Sequence, residues 1–267
     1  MLARKADAEI RLLHVFDDPF VDHDIREVNL DNEVVKHTEQ LIHKMETDAK
    51  SKMEAVESDV YRFMQEQDIS LPLTTEIRRG FTVDEIVNAS RIWMANLIVM
   101  GARGHSRFEK MLFGTVTKGV INHANCAVLA LPVDYTWTDP SEVVYATDFN
   151  EYDPLAISKV LKLLEAFNVN LHIAHFNIDK DKASNEVKMS ELETTLKNDK
   201  KTEHITYEIL DSKVLLSALE SYIEAKNIDL IALTTRKMST LQKVFTKSAT
   251  INLLYHSKKP LLVFHER

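Results

Sequence analysis

One run of residue types occurs twice in the chain, and that repeat limits the folds open to it. Asn96-Leu97-Ile98-Val99-Met100 is matched by Asp229-Leu230-Ile231-Ala232-Leu233. Leu12-Leu13-His14-Val15-Phe16 is matched by Ile173-Ala174-His175-Phe176. Each is a short apolar run of strand type. Helical patterns separate the runs, and strands alternating with helices specify parallel sheets, because parallel neighbours need a crossover. The repeat therefore predicts an α/β chain of two similar halves, 1–135 and 141–267, joined by the turn-rich stretch Pro132 to Pro140.

In chain order, MLARKAD favours helix, and Ile10 to Phe16 predicts a mostly buried strand ending at Asp17-Asp18-Pro19. Between 31 and 67, Val34, Val35, Leu41, Ile42, Met45, Met53, Val56, Val60, Phe63 and Met64 recur at three- and four-residue steps, the signature of one long helix. A strand is expected over 73–77. Thr82 and Glu85 read as a capping box before a helix over 83–93, with Ile86, Val87 and Trp93 facing inward. After the linker come strand 143–147, a helix from Pro154 to Phe167, strand 171–176 and a charged stretch, 179–203, read as helix. Strand 205–210, helix 213–226 and strands 230–233 and 261–264 complete the second half.

The most specific chemistry lies between the strands 97–100 and 127–131. Gly101, Gly104, Gly114 and Thr115 form G-x2-G-x9-G-[ST], and three of the chain's five glycines are in it. At ordinary glycine usage such a match arises by chance in about one chain in a hundred of this length. Strand, glycine loop and helix together aim backbone N–H groups at a helix N-terminus, a ready site for phosphate. A tight strand-to-helix turn would be the plainer use of the same glycines.

This stretch resembles the universal stress protein family. Met100-Gly101, Gly104, Gly114-Thr115 and Asn125-Cys126-Ala127-Val128-Leu129 fall where that family has its nucleotide loop and final strand. The resemblance implies a Rossmann-like parallel sheet in each half and ATP as the cofactor, with Mg2+ left open. It implies Val15 and Met100 beside base and ribose, and Gly101, Arg103, Gly104, Gly114, Thr115 and Val116 around the phosphates. It also implies pairing through final strands, internal here between 127–131 and 261–264.

Two departures qualify that expectation. The second half contains no glycine: Thr234, Lys237 and Lys247 stand where Gly101, Gly104 and Gly114 do, and only Ser248 matches, at the Thr115 position. This half is expected not to bind ATP in the family's way. The first half lacks the opening strand and its adenine-side aspartate, which the second half has in Ala146-Thr147-Asp148. The absent strand would be central, and its neighbours would carry unpaired backbone groups costing about 1–3 kcal/mol each if buried. A segment of roughly 25 residues ahead of Met1, judged from Val143 to Phe167, or a strand from a partner, is the expected remedy. Asp148 is a secondary candidate for adenine contact.

Other chemistry is thin. His105 lacks a carboxylate placed to orient it. His172 and His175 fall on opposite faces of one strand, a poor metal pair. Cys126 is the lone cysteine, read as a small packed residue, so no disulfide or cysteine metal cluster is expected and a reducing cytoplasm is the simplest setting. A net charge of −8 argues against nucleic acid, and no apolar run reaches membrane-spanning length. The expected function is adenine-nucleotide binding in stress regulation, with at most slow ATP hydrolysis and protein partners or self-association. The alternative is a nucleotide-independent interaction scaffold.

Overall fold

The computed structural model describes residues 2–17, 32–101, 114–133, 135–178, 181–197, 204–235 and 258–265. Two compact units form, Met1–Ile92 and Trp93–Arg267.

In the first unit, α1 (Leu2–Lys5) leads into β1 (Ile10–Phe16), which pairs in parallel with β2 (Leu73–Arg79), from Ile10 opposite Leu73 to Phe16 opposite Arg79. The crossover is α2 (Asn32–Glu66), at 35 residues about 50 Å long. It follows the predicted helical spacing, and Ala49, Met53 and Met64 are its buried residues among those described. Strand β1 was expected to be mostly buried. It is half-buried, because β2 is its only strand partner among the described residues. Gly80 closes the turn after β2 at φ +151°, a backbone state that side chains disfavour.

The helix α3 (Thr82–Ile92) departs from the predicted capping box. Thr82 lies inside the helix, and its hydroxyl donates to Asp17 Oδ1 at the end of β1. The Glu85 carboxylate accepts from Arg78 instead, at 3.4 Å. Ile86 and Trp93 are half-buried and Val87 is buried.

The second unit is built on a seven-stranded sheet. Its strands are β3 (Leu97–Gly101), β4 (Ala127–Leu131), β5 (Glu142–Ala146), β6 (Asn170–Asn177), β7 (Ile205–Asp211), β8 (Leu230–Thr235) and β9 (Leu261–His265). They lie in the order β3-β4-β9-β8-β5-β6-β7. Every pairing is parallel except β4 with β9, where Val128 faces Val263 and Ala130 faces Leu261. The helices are α4 (Thr115–His123), α5 (Asp153–Leu164), α6 (Lys182–Leu196) and α7 (Leu215–Ala225). Val128, Val143, Val144, Tyr145, Ile173, Ile231 and Val263 are fully buried, so the core runs through the final strands of both repeats. The α/β reading with parallel-dominated sheets holds, and the pairing expected from the resemblance between 127–131 and 261–264 is the antiparallel β4–β9 contact. Among the described residues the strands of the first repeat divide between two sheets, β1–β2 and β3–β4, and β3–β4 joins the strands of the second repeat.

Candidate functional site

The glycine motif begins at the carboxyl end of β3 and ends at the start of α4. Strand β3 stops at Gly101 and pairs in parallel with β4, Met100 opposite Ala130 and Gly101 opposite Leu131. Gly114 precedes α4 at φ −71° and ψ 165°, and no side chain among the described residues caps the helix. That backbone conformation is open to any residue, so what glycine supplies there is the absence of a side chain. The opening N–H groups of a helix lack intrahelical acceptors. The first turn of α4 carries no acidic residue, Thr115 is exposed and Val116 is half-buried.

Thr117 fixes this helix end against the strand. It is 2 % exposed, and its hydroxyl donates to the Gly101 carbonyl at 3.0 Å. Sequence reading passed over Thr117; the cue was a second threonine in the first turn after the final glycine. The far end of α4 is held too, since the buried His265 donates from Nε2 to the Ile121 carbonyl. The structure thus brings together Met100, Gly101, Gly114, Thr115 and Val116. Arg103 and Gly104 lie outside the described residues, as does His105. Val15 is half-buried near the carboxyl end of β1, opposite Arg78, in the other compact unit.

The corresponding place in the second repeat is built differently. Strand order reverses between β5 and β8, where ligands of open α/β sheets bind beyond the carboxyl ends. Side chains bridge those two strands. Tyr145 Oη shares a hydrogen bond of 2.7 Å with Thr234 Oγ1 and donates to Asp153 Oδ1 at 2.7 Å. Asp153 Oδ2 accepts from Thr147 Oγ1 at 2.5 Å and from the Asn150 amide at 3.0 Å. Burial pushes the Asp153 carboxyl up, against the opposing hydrogen bonds from Thr147 and Tyr145. Burial, and then the charge of Asp153, push the Tyr145 phenol up as well. Thr234 stands at the Gly101 position, so a side chain fills what glycine leaves open in the first repeat. Lys237, Lys247 and Ser248 lie outside the described residues.

Asp148 is exposed beyond β5. Beside it, Phe149 at φ +60° lays its ring against His175, centroids 4.3 Å apart. His175 donates from Nδ1 to the Thr147 carbonyl at 2.9 Å. His172 hydrogen-bonds Glu142 Oε2 at 2.7 Å and Thr206 Oγ1 at 2.8 Å. The two histidines serve separate contacts, and no group of three metal-ligating side chains occurs among the described residues. No described helix is long and apolar enough to cross a membrane.

The sequence model of the universal stress protein family matches residues 1–132 and 141–265. The chain is 28% identical over 129 residues to the universal stress protein MJ0577 of Methanocaldococcus jannaschii, covering 46% of this chain and 76% of that protein. Its fold matches a universal stress protein from Archaeoglobus fulgidus with TM-score 0.70 and 21% identity, over 99% of this chain and 92% of the other. A universal stress protein of Pseudomonas aeruginosa matches with TM-score 0.59 and 14% identity, over 97% and 94%.

Proposed function

Because this chain belongs to the universal stress protein family, we propose that its first repeat binds ATP and serves stress-response regulation in the cytoplasm. One observation carries the reading: an uncapped, acid-free helix start, preceded by a glycine whose φ does not require glycine, held against Gly101 by the Thr117 hydroxyl. Backbone N–H groups there suit phosphate oxygens. The Thr115 hydroxyl adds a contact, Arg103 and Gly104 extend the loop, and Mg2+ accompanies the phosphates. Met100 and Val15 are the proposed base and ribose neighbours, within a repeat spanning 1–135. The second repeat, 141–267, is proposed to hold no ATP, because Thr234 and Tyr145 span its strand ends; Asp148 is then a surface residue. The motif itself carries no group that activates water, so hydrolysis is proposed to be at most slow. The ligand is a nucleotide and not a nucleic acid or a membrane.

The test is thermal unfolding of the 267-residue chain with and without Mg-ATP. At a hundred times Kd, binding stabilises by about 2.7 kcal/mol. The midpoint then rises by about 2 °C or more. Gly114→Lys abolishes that rise. A wild-type midpoint that does not move at saturating Mg-ATP overturns the reading.

A second reading has its own support. The antiparallel β4–β9 pairing unites both repeats in one sheet, the form of an internal pseudo-dimer that can present protein-binding surfaces without nucleotide. Under it, glycine-loop variants that remain folded keep their protein partners.

A further inference from the structure

The candidate phosphate helix takes a hydrogen bond from the other repeat. Helix α4 closes at His123, and the last carbonyls of a helix lack donors within it. The Val120 carbonyl accepts from the Ala124 amide at 2.8 Å. The next one, of Ile121, accepts from Nε2 of His265 in β9. Val120, Ile121 and Ala124 are all buried, so this end is closed to water and an unmet carbonyl there would be costly. The start of the same helix is tied within the first repeat, Thr117 Oγ1 to the Gly101 carbonyl at 3.0 Å. One tie from each repeat therefore sets where this nine-residue helix points.

The residue that makes the second tie is not shared by the two repeats. Strands β4 and β9 meet in near two-fold fashion: the second residue of each faces the third of the other, Val128 opposite Val263 and Leu129 opposite Leu262. Their fifth residues are Leu131 and His265. An imidazole carries an N–H donor and a leucine side chain carries none. The donor thus stands on the half without glycine, and it serves the helix of the half that has the glycine motif. His265 is itself firmly seated. It is buried at the end of β9, opposite Thr235 of the parallel neighbour β8.

We infer that His265 is a positioning residue for the nucleotide site, through which the second repeat holds the first repeat's phosphate helix in its binding orientation. The inference rests on the nucleotide reading above. His265 acts through the Ile121 carbonyl, at the end of α4 away from Gly114. With that bond removed, α4 divides its time among orientations, and its opening N–H groups meet the phosphates in only some of them. The observed affinity then falls in proportion to the competent fraction. One buried hydrogen bond changes such a fraction about tenfold. The half without glycine thereby gains a task in the site of the half that has it.

The experiment is calorimetric titration of the full 267-residue chain with Mg-ATP, beside denaturant unfolding of each variant. His265→Leu, which places here the residue type found at the same point of β4, is expected to raise Kd about tenfold. His265→Phe, closer to imidazole in volume, is the second donor-free variant and gives the same result. His265→Gln keeps an N–H at similar reach and restores the wild-type Kd. Leu262→Ala loosens the same strand joint without removing the donor. It is expected to lower the unfolding midpoint and, while folded, to keep the wild-type Kd, a split that a merely structural histidine does not give. Wild-type Kd in the donor-free variants overturns the inference and leaves the nucleotide reading intact. Weakening by Leu262→Ala as large as that by His265→Leu overturns it too. A wild-type chain that takes up no Mg-ATP overturns both.

Discussion

At Gly114 conformation and recognition can be separated. The residue sits in extended backbone ahead of an uncapped helix, so aspartate fits the same φ and ψ. An aspartate there would cap the helix and complement its dipole, gaining a few tenths to about 1 kcal/mol. It would also occupy the N–H groups and repel phosphate. Gly114→Asp is therefore expected to leave the thermal midpoint equal or raised while removing the Mg-ATP shift, as read by unfolding with and without nucleotide. Thr147 offers the opposite case. Thr147→Ala removes one of the buried donors to Asp153 and is expected to cost about 1–3 kcal/mol in denaturant unfolding. His14 adds a pH term. Burial, then the charge of Lys52, hold its imidazole below the ordinary 6.5. A lowered folded value means that the stability linked to neutral His14 is full above 6.5 and is lost as pH falls through the window beneath it. With the intrinsic base-catalysed rate divided out, the protection of β1 amides against hydrogen exchange should fall as pH drops below 6.5, and His14→Gln should flatten that dependence.

Among the elements, legibility in the sequence followed the range of the interactions. Strands β3 to β9 were readable because each is a short apolar run, and α2 because its apolar residues keep helical spacing over 35 residues. Both signals are local. The capping box failed because Asp17, far away in sequence, takes the Thr82 hydroxyl. The two ends of the glycine motif were legible from Gly101 and Gly114, since glycine is scarce in this chain and the spacing is a local signal. Thr117 was not, because a first-turn threonine looks ordinary until the Gly101 carbonyl is seen beside it. The tie between Tyr145, Asp153 and Thr234 was likewise invisible, since it closes only when β5 and β8 become neighbours. The same rule accounts for β1: its apolar content predicted burial, but burial depends on how many strands flank it.

For the whole molecule, the joint between the repeats carries the most weight. Leu262 is 1% exposed and faces Leu129 across β4–β9. Leu262→Ala is expected to cost about 2–5 kcal/mol, measured by denaturant unfolding of the second unit. The joint also has a kinetic meaning. Strands β5 to β9 can organise from contacts within the second half, whereas Val128 meets Val263 only after the chain between them has been closed into place. Contacts of such long sequence separation form slowly. The first repeat's β3 and β4 then wait on a template that is made last, since β9 is the final strand of the chain described. The helix α4, tied at its start to Gly101 and at its far end to His265, has its second tie only when that template arrives. During synthesis, the candidate binding helix of the first half is not held at both ends until the last strand of the second half has emerged.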